Sequence, residues 1–244
     1  WEVLCKFQES RKSAWAGNVF LEGKISLSSM IMPSGYLLLS TGTKDASIRL
    51  ANYGKEKKWK IQGVTGPDES VTSFGREWLK GRKESSSGKK EFMIYSTSCL
   101  SFLKGRQAPP LKVVEPANWP RVQAWTTLFA NESEPPLDCN ALLSMSRAMM
   151  LKGNLFLMHK EGVGTCAMGG FGRSTPHSLV INEVFVPKEL RGKGYGEELI
   201  AGLVGQAEAK GKGNCILFSD YEGRQNLYDR LEFEKIAKFS ELSF

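Results

Sequence analysis

The glycine-rich stretch at residues 191–196, Arg-Gly-Lys-Gly-Tyr-Gly, constrains the possible folds of this chain more than any other segment. It follows an apolar run at residues 179–186 and precedes residues 199–207, where apolar side chains recur with helical spacing. This order predicts a strand, a tight turn and a helix, because glycine adopts backbone conformations that other residues avoid. The first N–H groups of a helix have no partner within it and favour phosphate groups. The stretch therefore predicts a binding site for a phosphate-bearing small molecule.

Two common phosphate-binding patterns do not fit this stretch. The Walker pattern, G-x-x-x-x-G-K-[ST], occurs nowhere in the sequence. The dinucleotide pattern requires G-x-G-x-x-G, whereas the glycines here follow one another as G-x-G-x-G behind an arginine. The pattern that remains is R-x-x-G-x-G, read from Arg191 to Gly196.

This pattern resembles the acyl-CoA pyrophosphate loop of the GCN5-related N-acetyltransferase (GNAT) superfamily. The resemblance extends upstream to Ile-Asn-Glu-Val-Phe-Val-Pro at residues 181–187. Downstream it includes residues 197–200, 218–220 and the segment Asn-Leu-Tyr-Asp-Arg-Leu-Glu-Phe at residues 226–233. The loop alone is a weak signal, but the downstream segment at the expected order and distance makes the resemblance specific.

The whole chain resembles predicted bacterial acetyltransferases with two tandem GNAT-like folds, of which the N-terminal one is degenerate. The fold class that this implies is α/β (α+β), with two domains that are each a mixed, mostly antiparallel sheet flanked by helices. We expect a degenerate domain at residues 1–104, a linker at 105–110 and the acetyltransferase domain at 111–244. The linker is expected because glycine and proline interrupt regular structure there.

Apolar periodicity and turn residues predict the elements of both halves. In the second half they predict strands at residues 111–114, 155–158, 165–168, 179–186, 214–219 and 233–239, and helices at 118–129, 138–150, 194–210 and 224–231. In the first half they predict strands at residues 35–40, 47–53, 59–61 and 91–95 and a helix that carries Val71, Phe74 and Trp78 on one face. The G-x-x-G at residues 63–67 before that helix is expected to be a tight turn, and an anion site is the alternative.

The resemblance implies which residues hold acetyl-CoA, the acyl donor. Backbone groups of residues 184–186 would hold the pantetheine like an added strand, and backbone N–H groups of residues 191–196 would hold the pyrophosphate, with Arg191 adding charge. The expected donor-binding residues are thus Val184, Phe185, Val186, Arg191, Gly192, Lys193, Gly194, Tyr195 and Gly196. For Tyr195, packing over the glycine turn is an equal alternative.

The resemblance also implies the catalytic residues. Tyr228 matches the tyrosine that protonates the departing sulfur in many relatives, and its ordinary pKa of about 10 suits a proton donor. A purely structural tyrosine is the alternative at this position. Glu183 is a candidate general base that acts through water, and Asn182 is a candidate for orienting the acceptor or that water. Strand alternation places these two neighbours on opposite faces, so only one of them is expected in the cleft. His177 is a further candidate base, and a neutral amine would need none.

Three features near the site leave alternatives open. Asp220 either caps the last helix or faces the acceptor. Tyr221 stands where many relatives have an asparagine, which puts one donor contact in doubt. Glu132, Glu134 and Asp138 either attract a cationic amine or belong to a solvated loop, and Asp138 can also cap a helix.

The function expected is acyl-CoA-dependent N-acetyltransfer from acetyl-CoA to a primary amine by direct transfer in a ternary complex. The acceptor is an amine-bearing small molecule or peptide that the sequence does not identify. The alternative is a non-catalytic acyl-CoA-binding sensor or scaffold. A covalent cysteine mechanism has no support, because no cysteine lies beside a histidine in the motif region.

The amino-acid composition limits the binding partners and the cellular location that we expect for this protein. The net charge of +7 is compatible with a polyanionic donor, and no basic–aromatic module indicates nucleic acid. No apolar run is long enough for a membrane span. The five scattered cysteines, without a C-x-x-C pattern, predict no metal site and no disulfide framework, and hence a reducing, cytoplasmic location. The oligomeric state and a leader before Trp1 stay open.

Overall fold

The computed structural model describes residues 15–81, 86, 88–133, 136–219 and 226–244 of the 244. The chain divides into two compact units, one made of residues 1–93 with 237–244 and the other of residues 94–236. The division therefore falls before the expected linker at 105–110, and the C-terminal residues belong with the first unit. The cause is strand pairing, because residues 239–243 pair with residues 63–67.

The first unit is a mixed sheet with two helices. Its elements are β1 (Ala16–Leu21), β2 (Lys24–Ile31), β3 (Tyr36–Leu39), α1 (Lys44–Glu56), β4 (Gly63–Pro67), α2 (Asp68–Leu79) and the first part of β5 (Gly88–Ser98). Strands β1, β2 and β3 pair antiparallel in order, and β3 pairs parallel with β4. The core includes Leu27, Leu37, Leu50, Phe74 and Trp78, which are almost wholly buried.

Residues 47–53 form part of helix α1, so the strand predicted there is wrong. Thr43 caps the helix by accepting from the N–H of Ala46, and buried residues recur at helical spacing, including Leu50 and Gly54. Residues 63–67 form strand β4 instead of the expected tight turn, and residues 59–61 form no strand. At Gly63 a side chain would collide with the ring of Tyr36, which explains the glycine there.

The second unit contains the remaining elements, which from residue 112 onward follow the order predicted from the sequence. They are α3 (Cys99–Leu103), β6 (Lys112–Val113), α4 (Trp119–Glu132), α5 (Cys139–Leu151), β7 (Leu155–Lys160), β8 (Gly164–Ser174), β9 (Ser178–Phe185), α6 (Tyr195–Ala209), β10 (Asn214–Ser219), α7 (Leu227–Arg230) and the start of β11 (Glu234–Ser243). Helix α3 was not predicted, and the predicted start of α7 at residues 224–225 lies outside the described residues.

The sheet of the second unit has the strand order β5-β10-β9-β8-β7-β6. Helices α4 and α5 pack on one face through a cluster that includes Val122, Met149 and Phe185. Helix α6 packs on the other face, where Leu199 and Leu203 lie against Gly169. Strands β6, β7, β8 and β9 pair antiparallel in that order, and β9 and β10 run parallel. The predicted fold class, a mixed and mostly antiparallel sheet flanked by helices, is confirmed.

The described part of the chain contains no helix that is both long and apolar enough to cross a membrane. It contains four cysteines, all free. Cys99 and Cys215 are fully buried with their sulfurs 3.9 Å apart, and Cys5 lies outside the described residues.

Candidate active site

Strands β9 and β10 separate at one end and open a cleft in the second unit. They pair through residues 178–180 and 214–216, and their ladder ends there. The cleft has a volume of about 690 Å³. Its walls come from α4, α5, β9, β10 and α7, and its lining residues include Phe129, Leu142, Met145, Asn182, Glu183, Val184, Phe185, Val186, Leu217, Phe218 and Tyr228.

Strand β9 has a β-bulge at Glu183. The expectation that only one of Asn182 and Glu183 faces the cleft is therefore wrong. The register between β8 and β9 shifts between the pair Gly170–Asn182 and the pair Met168–Phe185, which leaves an extra residue in β9. Glu183 has a φ of 53°, in the left-handed region. Because the bulge interrupts the alternation of side chains, both Asn182 and Glu183 line the cleft.

The carboxyl group of Glu183 is buried, with a relative exposure of 4% for the residue. Burial raises its pKa from 4.5 to about 7, while a hydrogen bond from Ser146 acts in the opposite direction. Its Oε1 atom has no hydrogen-bond partner among the described residues. A buried carboxyl with a pKa near neutrality is what a general base requires.

Ser146 of α5 is a site residue that the sequence did not reveal. Its hydroxyl lies 2.7 Å from Oε2 of Glu183 and 3.0 Å from the hydroxyl of Thr126 in α4. Both hydroxyl residues are fully buried. They lie far from Glu183 in sequence, and no motif connects them to it.

Asn182 lies beside Glu183 and is partly buried. Its Nδ2 lies 3.8 Å from the sulfur of Met145. A Cβ atom on Gly172 would come within 2.0 Å of Nδ2, so glycine at that position makes room for the Asn182 side chain. The amide is thus held at the cleft wall beside the candidate base.

The glycine loop leads into α6 as predicted. The helix begins at Tyr195, and Gly194, its N-cap, has a φ of 82° and contributes no side-chain cap. Gly192 has a φ of 75°, and a Cβ atom at either glycine would meet nothing within 4 Å. The loop therefore leaves open space beside the positive end of a helix, which suits an anionic group. The exposed Lys193 lies between the two glycines, and Tyr195 is partly buried.

Arg191 contacts both the end of β9 and helix α4. Its Nε donates to the backbone oxygen of Val186 at 2.9 Å, and its guanidinium forms an ion pair with Glu132 of α4. The same guanidinium lies 5.7 Å from the ring centre of Phe185. Arg191 thus ties the loop to the end of β9 and to α4, and Glu132 already balances its charge.

Tyr228 lines the same cleft as Glu183, from helix α7. Its ring packs on Tyr95, with ring centres 5.5 Å apart, and on Phe233 at 6.0 Å. The buried Asn226 caps α7 by accepting from the N–H of Asp229, and it donates to the hydroxyl of Tyr95 at 2.7 Å. Short helix α7 is therefore held in place by side chains at its start.

Other candidates from the sequence lie away from the cleft or outside the description. Asp138 caps α5 by accepting from the N–H groups of Asn140 and Ala141. His177 is exposed just before the other end of β9. Asp220, Tyr221 and Glu134 lie outside the described residues.

Comparison with known proteins identifies the class to which this fold and cleft belong. Residues 152–235 match the family model of the acetyltransferase (GNAT) domain. The matched segment contains the bulge at Glu183, the glycine loop and Tyr228. The chain thus contains a GNAT domain, and the expected superfamily is confirmed.

Solved structures show the same fold over most of the chain. A GNAT-family acetyltransferase from Colwellia psychrerythraea has a TM-score of 0.61 at 11% identity, over 95% of this chain and 85% of that one. A GCN5-related N-acetyltransferase from Sphaerobacter thermophilus has a TM-score of 0.59 at 15% identity, over 94% and 79%. A tandem GNAT protein from the clavulanic acid biosynthesis pathway has a TM-score of 0.54 at 9% identity, over 95% and 82%. The sequence matches no protein whose function is curated.

Proposed function

We propose that this protein transfers the acetyl group of acetyl-CoA to a primary amine by direct transfer in a ternary complex. The observation that carries the proposal is the cleft between β9 and β10. It brings a buried carboxyl on a bulge, Glu183, to the same cavity as a tyrosine, Tyr228, and it reaches Arg191 at the start of the glycine loop. The GNAT domain match over residues 152–235 supports a transferase.

The residues present fit the donor. The pairing of β9 with β10 ends at Val180, and the separation of the two strands beyond it suits an extended pantetheine. The open left-handed glycines Gly192 and Gly194 and the start of α6 suit the pyrophosphate. Acetyl-CoA, when bound, supplies the acyl group as a thioester. The exposed Lys193 adds positive charge to the loop, whereas the charge of Arg191 is paired with Glu132.

The chain's own residues then account for the proton transfers. A primary amine has a pKa of about 10 and arrives charged at neutral pH, so it must lose a proton before it attacks. Glu183, with a pKa of about 7, accepts that proton through water. Asn182 orients the amine or that water beside Glu183. Attack of the amine on the thioester carbonyl forms the C–N bond, and expulsion of the thiolate breaks the C–S bond. Tyr228 donates a proton to the departing sulfur and regains one from the acetylated nitrogen, which must lose its second proton.

The state of Glu183 favours an enzyme over a non-catalytic acyl-CoA-binding module. A buried carboxyl whose Oε1 has no partner among the described residues, on a residue in the left-handed region, reduces the stability of the fold. A module that only binds the donor would have no use for this arrangement. A base that must take up and release protons near neutral pH needs such an arrangement.

The cleft favours an acceptor that carries its amine on an apolar group. Apolar side chains form much of the wall around Glu183, including Phe129, Leu142, Met145 and Ile181. The described lining contains two carboxylates, and one of them, Glu132, is paired with Arg191. A polyamine would need more unpaired negative charge than these described residues provide.

Two measurements test the proposal. Isothermal titration with acetyl-CoA is expected to show one site per chain, and its absence in the folded protein would exclude donor binding. Release of free thiol from acetyl-CoA with arylalkylamines, aliphatic monoamines and polyamines then separates an enzyme from a module. Tyr228→Phe is expected to lower kcat at least tenfold with little change in donor affinity, because it removes only the proton donor. An unchanged kcat would remove Tyr228 from the mechanism.

A further inference from the structure

We propose that Ser146 is a positioning residue for Glu183: its hydroxyl, held by Thr126, donates to the ionised carboxylate and accepts from the protonated carboxyl. The inference rests on the proposed function, since it concerns the residue proposed as the base. It assigns a catalytic purpose to two buried hydroxyl groups in α4 and α5.

The geometry places three groups around one hydroxyl. Oγ of Ser146 lies 2.7 Å from Oε2 of Glu183, 3.0 Å from Oγ1 of Thr126 and 2.9 Å from the backbone oxygen of Leu142. A serine hydroxyl has one proton to donate and two lone pairs to accept with. Ser146 therefore cannot donate to all of these oxygens at once, and its donor direction depends on the state of its neighbours.

When Glu183 is ionised, its carboxylate accepts only, so Ser146 must donate to it. The Thr126 hydroxyl then donates to Ser146, and each proton of the series has an acceptor. When Glu183 is protonated, its O–H donates to Ser146, and the Ser146 proton turns to the carbonyl of Leu142. Both states of the carboxyl therefore have a partner at Oε2 without movement of any heavy atom.

The alternative is that Ser146 only bonds the carbonyl four residues earlier, as helical serines often do. Ser144 in the same helix does this at 2.8 Å from the oxygen of Asn140, and it is exposed. Ser146 differs because it is fully buried, reaches a carboxyl on another element, and has a second hydroxyl beside it. A purely helical role explains neither the short contact to Glu183 nor the burial of Thr126 against it.

Among the described residues, no other charged group shifts the pKa of Glu183. Burial and the Ser146 hydrogen bond set its pKa, without a contribution from another charge. The ionisable side chains among the described cleft-lining residues are Glu132 of α4, Arg191 after β9, and Tyr228 and Arg230 of α7. Helix α5 and strand β10 contribute none to that described lining. Loss of the Ser146 hydroxyl is therefore expected to affect the base directly.

The test is the pH dependence of kcat/KM for the acceptor at saturating acetyl-CoA, measured for the full chain. In the wild type the activity rises with pH as Glu183 ionises, with a midpoint near its pKa of about 7. Ser146→Ala removes a hydrogen bond from both states of the carboxyl, but the bond to the charged form is the stronger one. The midpoint is therefore expected to rise by about one unit, which is a tenfold loss of activity well below it. At high pH the activity of Ser146→Ala approaches that of the wild type.

Three variants complete the series. Thr126→Val keeps the shape and removes the second hydroxyl, and is expected to give a smaller upward shift. Ser146→Thr restores a hydroxyl and is expected to return the midpoint towards the wild type. Ser144→Ala removes the equivalent helical hydrogen bond away from Glu183, and is expected to leave the profile unchanged.

A ¹³C NMR titration of the Glu183 carboxyl in wild type and Thr126→Val gives a reading that needs neither turnover nor the Ser146 variants. An upward shift of its midpoint in Thr126→Val supports the positioning role, and an unchanged midpoint overturns it. In the kinetic series, equal profiles for Ser146→Ala and Ser144→Ala would also overturn it. If Glu183→Gln itself keeps full activity, the proposed base is wrong, and the NMR result still decides whether Ser146 controls the carboxyl.

Discussion

Glu183→Gln is expected to stabilise the protein at high pH and not at low pH. The carboxyl has a pKa of about 7 in the folded protein and an ordinary value of 4.5. The folded state thus binds more protons than the unfolded state between these two pH values, and the free energy of unfolding falls as pH rises through that window. Below pH 4.5 the effect is absent, and above pH 7 it is complete.

The size of the effect follows from the difference between the two pKa values. At about 1.4 kcal/mol per unit, the ionised Glu183 lowers the free energy of unfolding by about 3 kcal/mol above neutrality. The residue is 4% exposed, so solvent screens little of this penalty. The neutral amide of the Glu183→Gln variant has no charge to bury, so the difference between variant and wild type should grow by about 3 kcal/mol between pH 4.5 and pH 8.

Urea unfolding of both proteins at several pH values measures this difference. The midpoint of Glu183→Gln relative to wild type should move upward between pH 4.5 and pH 8 by roughly 1–2 M urea for an m-value of about 2 kcal/mol/M. Glu189→Gln, which removes an exposed carboxylate on the turn after β9, is the matched control. A constant difference across this pH range for Glu183→Gln would refute the burial of an ionisable base at this position.

Three further outcomes are expected. Gly192→Ala should lower acetyl-CoA affinity at least tenfold. The control Gly211→Ala, at a similar φ in open space past α6, should carry the same backbone strain and leave the affinity unchanged. If calorimetry gives the two variants the same affinity for acetyl-CoA, the loop is not part of the donor site. Glu132→Gln should raise the affinity for acetyl-CoA two- to tenfold because it leaves Arg191 uncompensated, and a lower affinity in titration calorimetry would show that the ion pair holds the loop in shape. Asp138→Ala should lower the free energy of unfolding by about 1 kcal/mol, with Asp138→Asn close to the wild type, because the side chain caps α5; urea midpoints that do not differ would exclude the cap.

The elements that carry the candidate site were largely predictable from the sequence. The helix α6 begins at Tyr195, one residue from the expected start, because periodicity and two glycines define it locally. Strand β10 has the predicted bounds, and Asp138 caps α5 as its position before an apolar segment indicated. These features depend on residues close together in the chain.

The features that were not predicted depend on residues far apart. The bulge at Glu183 arises from the register of β9 against β8, which local alternation does not contain. Ser146 reaches Glu183 only because α5 packs across the sheet. Residues 47–53 resembled a strand by composition, while the Thr43 cap and the spacing of buried side chains made them helical.

We propose that this chain acetylates an amine with acetyl-CoA and that Glu183 takes up the amine proton. The most direct measurement is mass spectrometry of an apolar primary amine incubated with acetyl-CoA and either wild type or Glu183→Gln at about pH 7.5, just above the expected midpoint. We expect a product heavier by one acetyl group and a rate at least tenfold lower for Glu183→Gln. Acetyl-CoA binding without acetylated product from any amine, or equal rates for the two proteins, would contradict it.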